Sequence, residues 1–206
     1  MSAGESRRVI VASTNHGKLA EIRSALDFDG WEFVTAVDLG LDSLDVEETG
    51  DTFLDNALLK ALAYSEAFGL PALADDSGLE VDALDGAPGV RSSRYSGETA
   101  TDAENNAKLL EELAAVAHDA RTARFRSVIV LVEPDGTVTS ASGHCEGRIG
   151  NERRGEGGFG YDPLFLPAAT PGRTMAELAL TEKNAISHRG AALRRLRKAL
   201  ELPDCG

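Results

Sequence analysis

Pro71-Ala72-Leu73-Ala74-Asp75-Asp76-Ser77-Gly78-Leu79-Glu80 joins a short apolar run to two adjacent carboxylates, a hydroxyl and a glycine. The apolar run reads as a strand. Asp75, Asp76, Ser77 and Gly78 read as its end, where the chain turns sharply. Two neighbouring carboxylates repel, so they need a cation, a cationic side chain or a shared proton. Oxygen ligands of this kind suit Mg²⁺, which binds through one or two carboxylates plus substrate phosphates. In isolation the same residues also fit a solvated strand-end turn with an Asx cap.

Upstream, Val9-Ile10-Val11-Ala12 is a β-branched run that reads as a buried strand. Ser13-Thr14-Asn15-His16-Gly17-Lys18 follows, and then a helix with Leu19, Ile22, Ala25 and Leu26 on one face. A strand, a small polar loop and a helix N-terminus form an anion site, because the first amides point outward and the helix dipole favours phosphate. Lys18 would add a point charge; a capped helix with a surface lysine is the other reading. It is not a Walker A loop, since the leading glycine is missing and Leu19 stands where Ser or Thr follows the lysine.

Trp31-Glu32-Phe33-Val34 reads as a second strand. An acidic loop from Asp38 to Asp51 contains Glu47-Glu48-Thr49-Gly50, which could equally be a solvated face. Asp51 or Thr52 caps a helix from about Phe53 to Phe68, and Gly69-Leu70-Pro71 stops it. Lys60, in the middle of that helix, can reach the acidic cluster or face water.

Downstream of the acid pair come a turn-rich loop, Asp85 to Val90, and then Arg91-Ser92-Ser93-Arg94-Tyr95-Ser96-Gly97. Thr101 or Asp102 caps a helix reaching about Val116, with Leu109, Leu110, Leu113 and Val116 as its apolar stripe. Phe125–Glu133 and Thr137–Gly147 are runs joined by Pro134-Asp135-Gly136, a hairpin signal. The second run carries His144-Cys145, which reads as packing rather than a metal site.

Gly155-Glu156-Gly157-Gly158-Phe159-Gly160 formally matches the dinucleotide fingerprint GxGxxG. That fingerprint must follow a first strand and open a helix, whereas here Tyr161-Asp162-Pro163 follows at once, so the dinucleotide reading fails. What remains is a glycine-rich loop offering an aromatic, Phe159, and an acid, Asp162. The pair suits stacking on and hydrogen bonding to a flat heterocycle, or else Phe159 tucks into the core. Thr174-Met175-Ala176-Glu177 has capping-box spacing. Lys183 to Gly190 leads into a helix with Leu193, Leu196 and Leu200 inward; Lys183, His188 and Arg189 would aim donors at one acceptor-rich object, or else form a basic helix face.

A chain of 206 residues suits one α/β domain or two lobes sharing a core. The net charge of −13 argues against broad nucleic-acid binding, although cations gather between His188 and Lys198. No apolar run is long enough to span a bilayer, and Met1 to Arg8 has no apolar signal core. Cys145 and Cys205 are far apart; reduced thiols and a cytoplasmic location are the expectation.

Taken together, the order and spacing of these motifs resemble the inosine triphosphate pyrophosphatase family. The resemblance rests on Ser13 to Lys18, Glu47-Glu48-Thr49-Gly50, Ala74 to Leu79, Gly86 to Val90, Ser93 to Gly97, Gly157 to Pro163 and Ser187-His188-Arg189-Gly190. It implies an elongated mixed β-sheet with flanking helices, forming one domain of two lobes around a central substrate cleft, as a homodimer. It also implies Mg²⁺-dependent hydrolysis of ITP, dITP and XTP to monophosphate and pyrophosphate, which sanitises the nucleotide pool.

The resemblance further implies roles residue by residue. Glu48 and Asp76 would hold Mg²⁺ with Glu47 and Asp75 beside them, and Asp76 would accept the proton of the attacking water. Ser13, Thr14, Asn15, His16, Gly17 and Lys18 would cradle phosphate, with Ser77 adding a hydroxyl. Phe159, Gly160, Tyr161 and Asp162 would meet the base, and Lys183, Ser187, His188 and Arg189 would donate toward its 6-oxo group. Adenine presents a donor at that position, which excludes ATP.

Overall fold

The structure, a computed structural model, describes residues 6–25, 28 and 30–201. Leu26, expected on the first helix face, and Cys205 lie outside these residues. Six strands are hydrogen-bonded in the order β2-β1-β3-β4-β5-β6: β1 Arg7–Val11, β2 Trp31–Val34, β3 Ala72–Val81, β4 Thr122–Val132, β5 Val138–Ile149 and β6 Phe165–Pro167. β1 runs parallel to both β2 and β3, whereas β5 and β6 are antiparallel, so the sheet is mixed. The helices are α1 His16–Ala25, α2 Phe53–Phe68, α3 Asp102–Glu112, α4 Leu180–Ile186 and α5 His188–Glu201. Among the described residues no helix is long and apolar enough to cross a membrane.

Two compact units divide the chain. The first takes its described residues from Met1–Asp76, Val128–Ser142 and Ala192–Gly206. Its core packs Val9, Val11, Ile22, Leu73, Ile129, Leu131, Leu193 and Leu196, with Leu19, Ala25 and Leu200 at its margin. The second comprises Ser77–Ser127 and Gly143–Ala191. Its core packs Leu79, Val81, Leu109, Leu113, Phe125, Ile149, Leu164, Phe165 and Met175.

Local signals in the sequence account for most element boundaries. Thr52 caps α2 by accepting the Asp55 N–H, and Gly69, at φ 63°, closes it in the left-handed conformation that glycine adopts without penalty. Thr101 and Glu104 form a reciprocal capping box on α3, whereas at a short 3₁₀ turn the Thr174 N–H donates to the Glu177 carboxylate and the Thr174 hydroxyl donates to the Arg154 carbonyl. α3 ends at Glu112 rather than near Val116, because Leu113 to Ala115 leave the helix as turns. The C-terminal donors are split: Lys183 belongs to α4, and Ser187 separates it from α5, where the Ser187 hydroxyl accepts the Gly190 N–H.

The largest departure concerns β3. It does not stop at Ala74 but continues through Asp75, Asp76 and Ser77 to Val81, and the turn comes only at Asp82 to Gly86. Acids are poor strand residues because they are costly to bury. Here both are buried all the same, and two lysines make that tolerable.

Candidate active site

In the first unit, the loop after β1 is built around Asn15. Its side-chain oxygen accepts the Lys18 N–H at 2.9 Å and so caps α1, while Ser13 Oγ accepts the Asn15 N–H at 3.2 Å. Thr14 and His16 are exposed, and Gly17 and Lys18 are half-buried. The loop thus has the anchored strand-to-helix form that suits an anion. Lys18 Nζ turns back to the acid pair, 3.2 Å from Asp75 Oδ2 and 3.5 Å from the Asp75 carbonyl oxygen.

Lys60 enters the same cluster from α2. Its Nζ donates to Glu48 Oε1 at 2.7 Å and to the Asp75 carbonyl at 2.9 Å, and lies 3.6 Å from Asp76 Oδ1. Burial alone would depress the Lys60 ammonium, but Asp76, Glu48 and Asp75 outweigh it and hold the group above its usual value. Burial pushes the Asp76 carboxyl upward, and Glu48 and Asp75 add to the rise against the pull of Lys60 and Lys18. Lys60 therefore stands in as the counter-cation of a buried carboxylate group.

The acidic loop that carries Glu48 has no regular structure, yet it is tied to α2. Tyr64 donates its hydroxyl to the Leu44 carbonyl at 3.2 Å, and the Gly50 N–H donates to Asn56 Oδ1 at 2.8 Å. A Cβ at Gly50 would lie 2.5 Å from Asp55 Cβ, so only glycine allows this approach. Asn56 was not legible as a site residue; a glycine two residues after the acid pair was the only hint.

Metal fit turns on Asp76. Its Oδ2 is buried with no hydrogen-bond partner, an arrangement that costs free energy unless a cation or donor arrives. The available donors are hard carboxylate and carbonyl oxygens, which match Mg²⁺. Among the described residues no three His, Cys, Asp or Glu side chains converge as a ready cage, and Glu47 is exposed.

In the second unit, Asp162, Lys183 and Phe159 form one group. Asp162 and Lys183 are 2% and 4% exposed and make a short ion pair. Asp162 Oδ2 also accepts the Phe159 N–H at 2.9 Å, which curls the glycine-rich loop around the carboxylate. Lys183 Nζ lies 4.9 Å from the centre of the half-buried Phe159 ring, and the Arg189 guanidinium lies 5.8 Å from it, so the ring faces cations. Arg189 is buried and donates to Ser77 Oγ at 2.7 Å. His188 stacks on Phe125 with ring centres 4.8 Å apart.

Two further expected contacts have structural duties here. The Tyr161 hydroxyl donates to the Ser92 carbonyl at 2.9 Å, and the Ser187 hydroxyl is the α5 cap. Of the cations between His188 and Lys198, only His188 and Arg189 are buried in this group; Arg194, Arg195, Arg197 and Lys198 are exposed, and Arg195 donates to the Ser142 carbonyl.

The glycines of this loop are fixed by packing. Gly158 has φ +73°, and a Cβ there would lie 2.0 Å from Asp162 Oδ2. Gly158→Ala is expected to cost about 3 kcal/mol, from left-handed strain plus displacement of the carboxylate. Gly160→Ala, with φ +60° and open space around the added Cβ, should cost only about 1 kcal/mol. Chemical denaturation of both variants checks the contrast, and equal losses would mean that Asp162 does not organise the loop.

The Ham1 family model matches residues 9–199. A dITP/XTP pyrophosphatase of Geobacter sulfurreducens is 53% identical over 193 residues, covering 94% of this chain and 96% of that protein. Its counterpart in Desulforamulus reducens is 51% identical over 195 residues, covering 95% of this chain and 94% of its own. Among solved structures, a HAM1 protein from Coxiella burnetii aligns with a TM-score of 0.83 at 47% identity, covering 94% of this chain and 98% of that one.

Proposed function

Because the chain belongs to the Ham1 family, we propose that it is a nucleoside triphosphate pyrophosphatase that hydrolyses the deaminated purine nucleotides dITP, XTP and ITP to the monophosphate and pyrophosphate. The observation that carries the reading is the near end-to-end identity of about half the residues with dITP/XTP pyrophosphatases. The chemistry of both groups of side chains supports it.

In the first unit, Lys18 and the anchored loop before it bind and orient the triphosphate. Glu48 and Asp76 are the residues that would hold Mg²⁺, with Asp75 and Glu47 in support. When bound, the ion supplies charge neutralisation on the phosphates. Asp76, whose proton affinity is raised by burial, accepts the proton of the attacking water. Lys60 holds Glu48 and Asp76 together and keeps the cluster from repelling itself. Lys18→Ala is expected to raise KM for dITP about tenfold and to lower kcat, and steady-state kinetics with both parameters unchanged would remove Lys18 from the phosphate site.

In the second unit, Phe159 offers a face for the base, and Lys183, His188 and Arg189 supply donors suited to a 6-oxo acceptor. Adenine offers a donor there, and mismatched buried polar groups reject a substrate by up to about 10⁴-fold. A homodimer is part of the same proposal; exposed Leu54, Leu59 and Leu62 on α2 are the apolar surface that supports it. A cytoplasmic location and no nucleic-acid partner complete the reading, the latter supported by the net charge of −13.

Incubating ITP, XTP, GTP and ATP with Mg²⁺ or EDTA and resolving the products by ³¹P NMR tests the whole assignment. Metal-dependent IMP and pyrophosphate from ITP, with ATP nearly untouched, is the expected result. Orthophosphate and IDP would place attack at the γ phosphorus and end the pyrophosphatase reading.

A further inference from the structure

Phe159 can serve as a stacking face only if its backbone is held, and the peptide on its far side is gripped from α3. The Gly160 N–H donates to Asp102 Oδ2 at 2.7 Å, and the Gly160 carbonyl accepts from Asn106 Nδ2 at 2.8 Å. Together with the Phe159 N–H bond to Asp162, this fixes consecutive peptides on both sides of the aromatic residue.

An acid in the first turn suits the dipole of α3, but that does not direct the Asp102 side chain to Gly160. α3 is already capped by Thr101, whose hydroxyl takes the Glu104 N–H, so the Asp102 side chain is not required as a cap. It accepts instead from a residue 58 positions away. Asn106 is fully buried, asparagine is a weak helix former, and its Oδ1 has no hydrogen-bond partner. An alanine or leucine would suit a purely structural helix position better. The cost of a buried, half-satisfied amide is offset by the grip of its Nδ2 on Gly160, with a second bond to the Asp102 carbonyl.

We propose that Asp102 and Asn106 are positioning residues for base recognition, clamping Gly160 through both its N–H and its carbonyl, and so the two peptides that follow Phe159, so that the Phe159 ring is set for stacking before a purine arrives. The proposal rests on the pyrophosphatase reading above. Without the clamp the loop backbone regains freedom that must be lost again on binding, so the effect falls on binding of the base and not on the phosphate chemistry.

Asp102, on the surface, is the residue to change first, because truncating the buried Asn106 puts folding at risk. Asp102→Ala should raise KM for ITP about tenfold with kcat within about twofold, as expected for loss of one charge-assisted hydrogen bond. Asp102→Asn keeps an acceptor for the Gly160 N–H and should restore KM. Calorimetry separates this from general damage: IMP, which carries the base, should bind Asp102→Ala about tenfold more weakly, while pyrophosphate binds as to the wild type. Wild-type turnover with an unchanged KM in Asp102→Ala, or parallel loss of IMP and pyrophosphate binding, overturns the clamp alone. No hydrolysis of ITP by the wild type overturns the activity reading, and the clamp's role in base recognition with it.

Discussion

Asp76→Asn is expected to lower kcat for dITP by at least about a thousandfold, the scale of a lost general base, with nucleotide binding preserved. The amide is the same size as the carboxylate and cannot accept a proton at neutral pH. It also removes one negative charge from a buried group that contains Asp75 and Glu48, so the fold should not suffer. Lys18 and Lys60 would then be less neutralised, which offsets a weaker hold on Mg²⁺, so triphosphate affinity should largely survive. Single-turnover kinetics alongside binding of an uncleaved nucleotide analogue reads the two effects separately. Near-normal turnover would remove Asp76 from both the proton-accepting and the metal-holding role.

Lys60→Met should be the most damaging change to the first unit's site. The lysine side chain is 13% exposed and touches Glu48, Asp76 and the Asp75 carbonyl, so its loss strands buried carboxylates without a counter-charge. Breaking such a pair costs about 3 kcal/mol, or roughly a 6–12 °C fall in Tm for a chain of this size. Mg²⁺ is expected to restore part of the loss in Lys60→Met and to change the wild-type Tm less. A melting curve indistinguishable from wild type, with and without Mg²⁺, would show that the ammonium does not balance the acids.

The sequence disclosed those features whose cause is local. Thr52, Gly69 and the Thr101/Glu104 box mark helix ends through contacts three or four residues away, and each appears where its residue type demands. The acid pair was legible as chemistry but misleading as structure. Two aspartates after an apolar run look like a strand end, and the strand continues only because Lys18 and Lys60 arrive from distant segments. The Asp162–Lys183 pair and the Asp102–Gly160 bond span 21 and 58 residues and leave no trace in spacing. Gly158 and Gly160 look alike in the sequence, yet only the first has a carboxylate where its side chain would be.

Cys145, packed in the second unit's core, has a practical consequence for anyone handling the protein. Burial, with Glu146 and Asp162 nearby, pushes its thiol up to about 11. At neutral pH roughly one molecule in ten thousand then carries the thiolate that alkylating agents and peroxides attack. Maleimide dyes and oxidants should therefore leave this position alone while the protein is folded. Reaction at Cys145 becomes a reporter of unfolding, a chemical clock for how often the second unit's core opens.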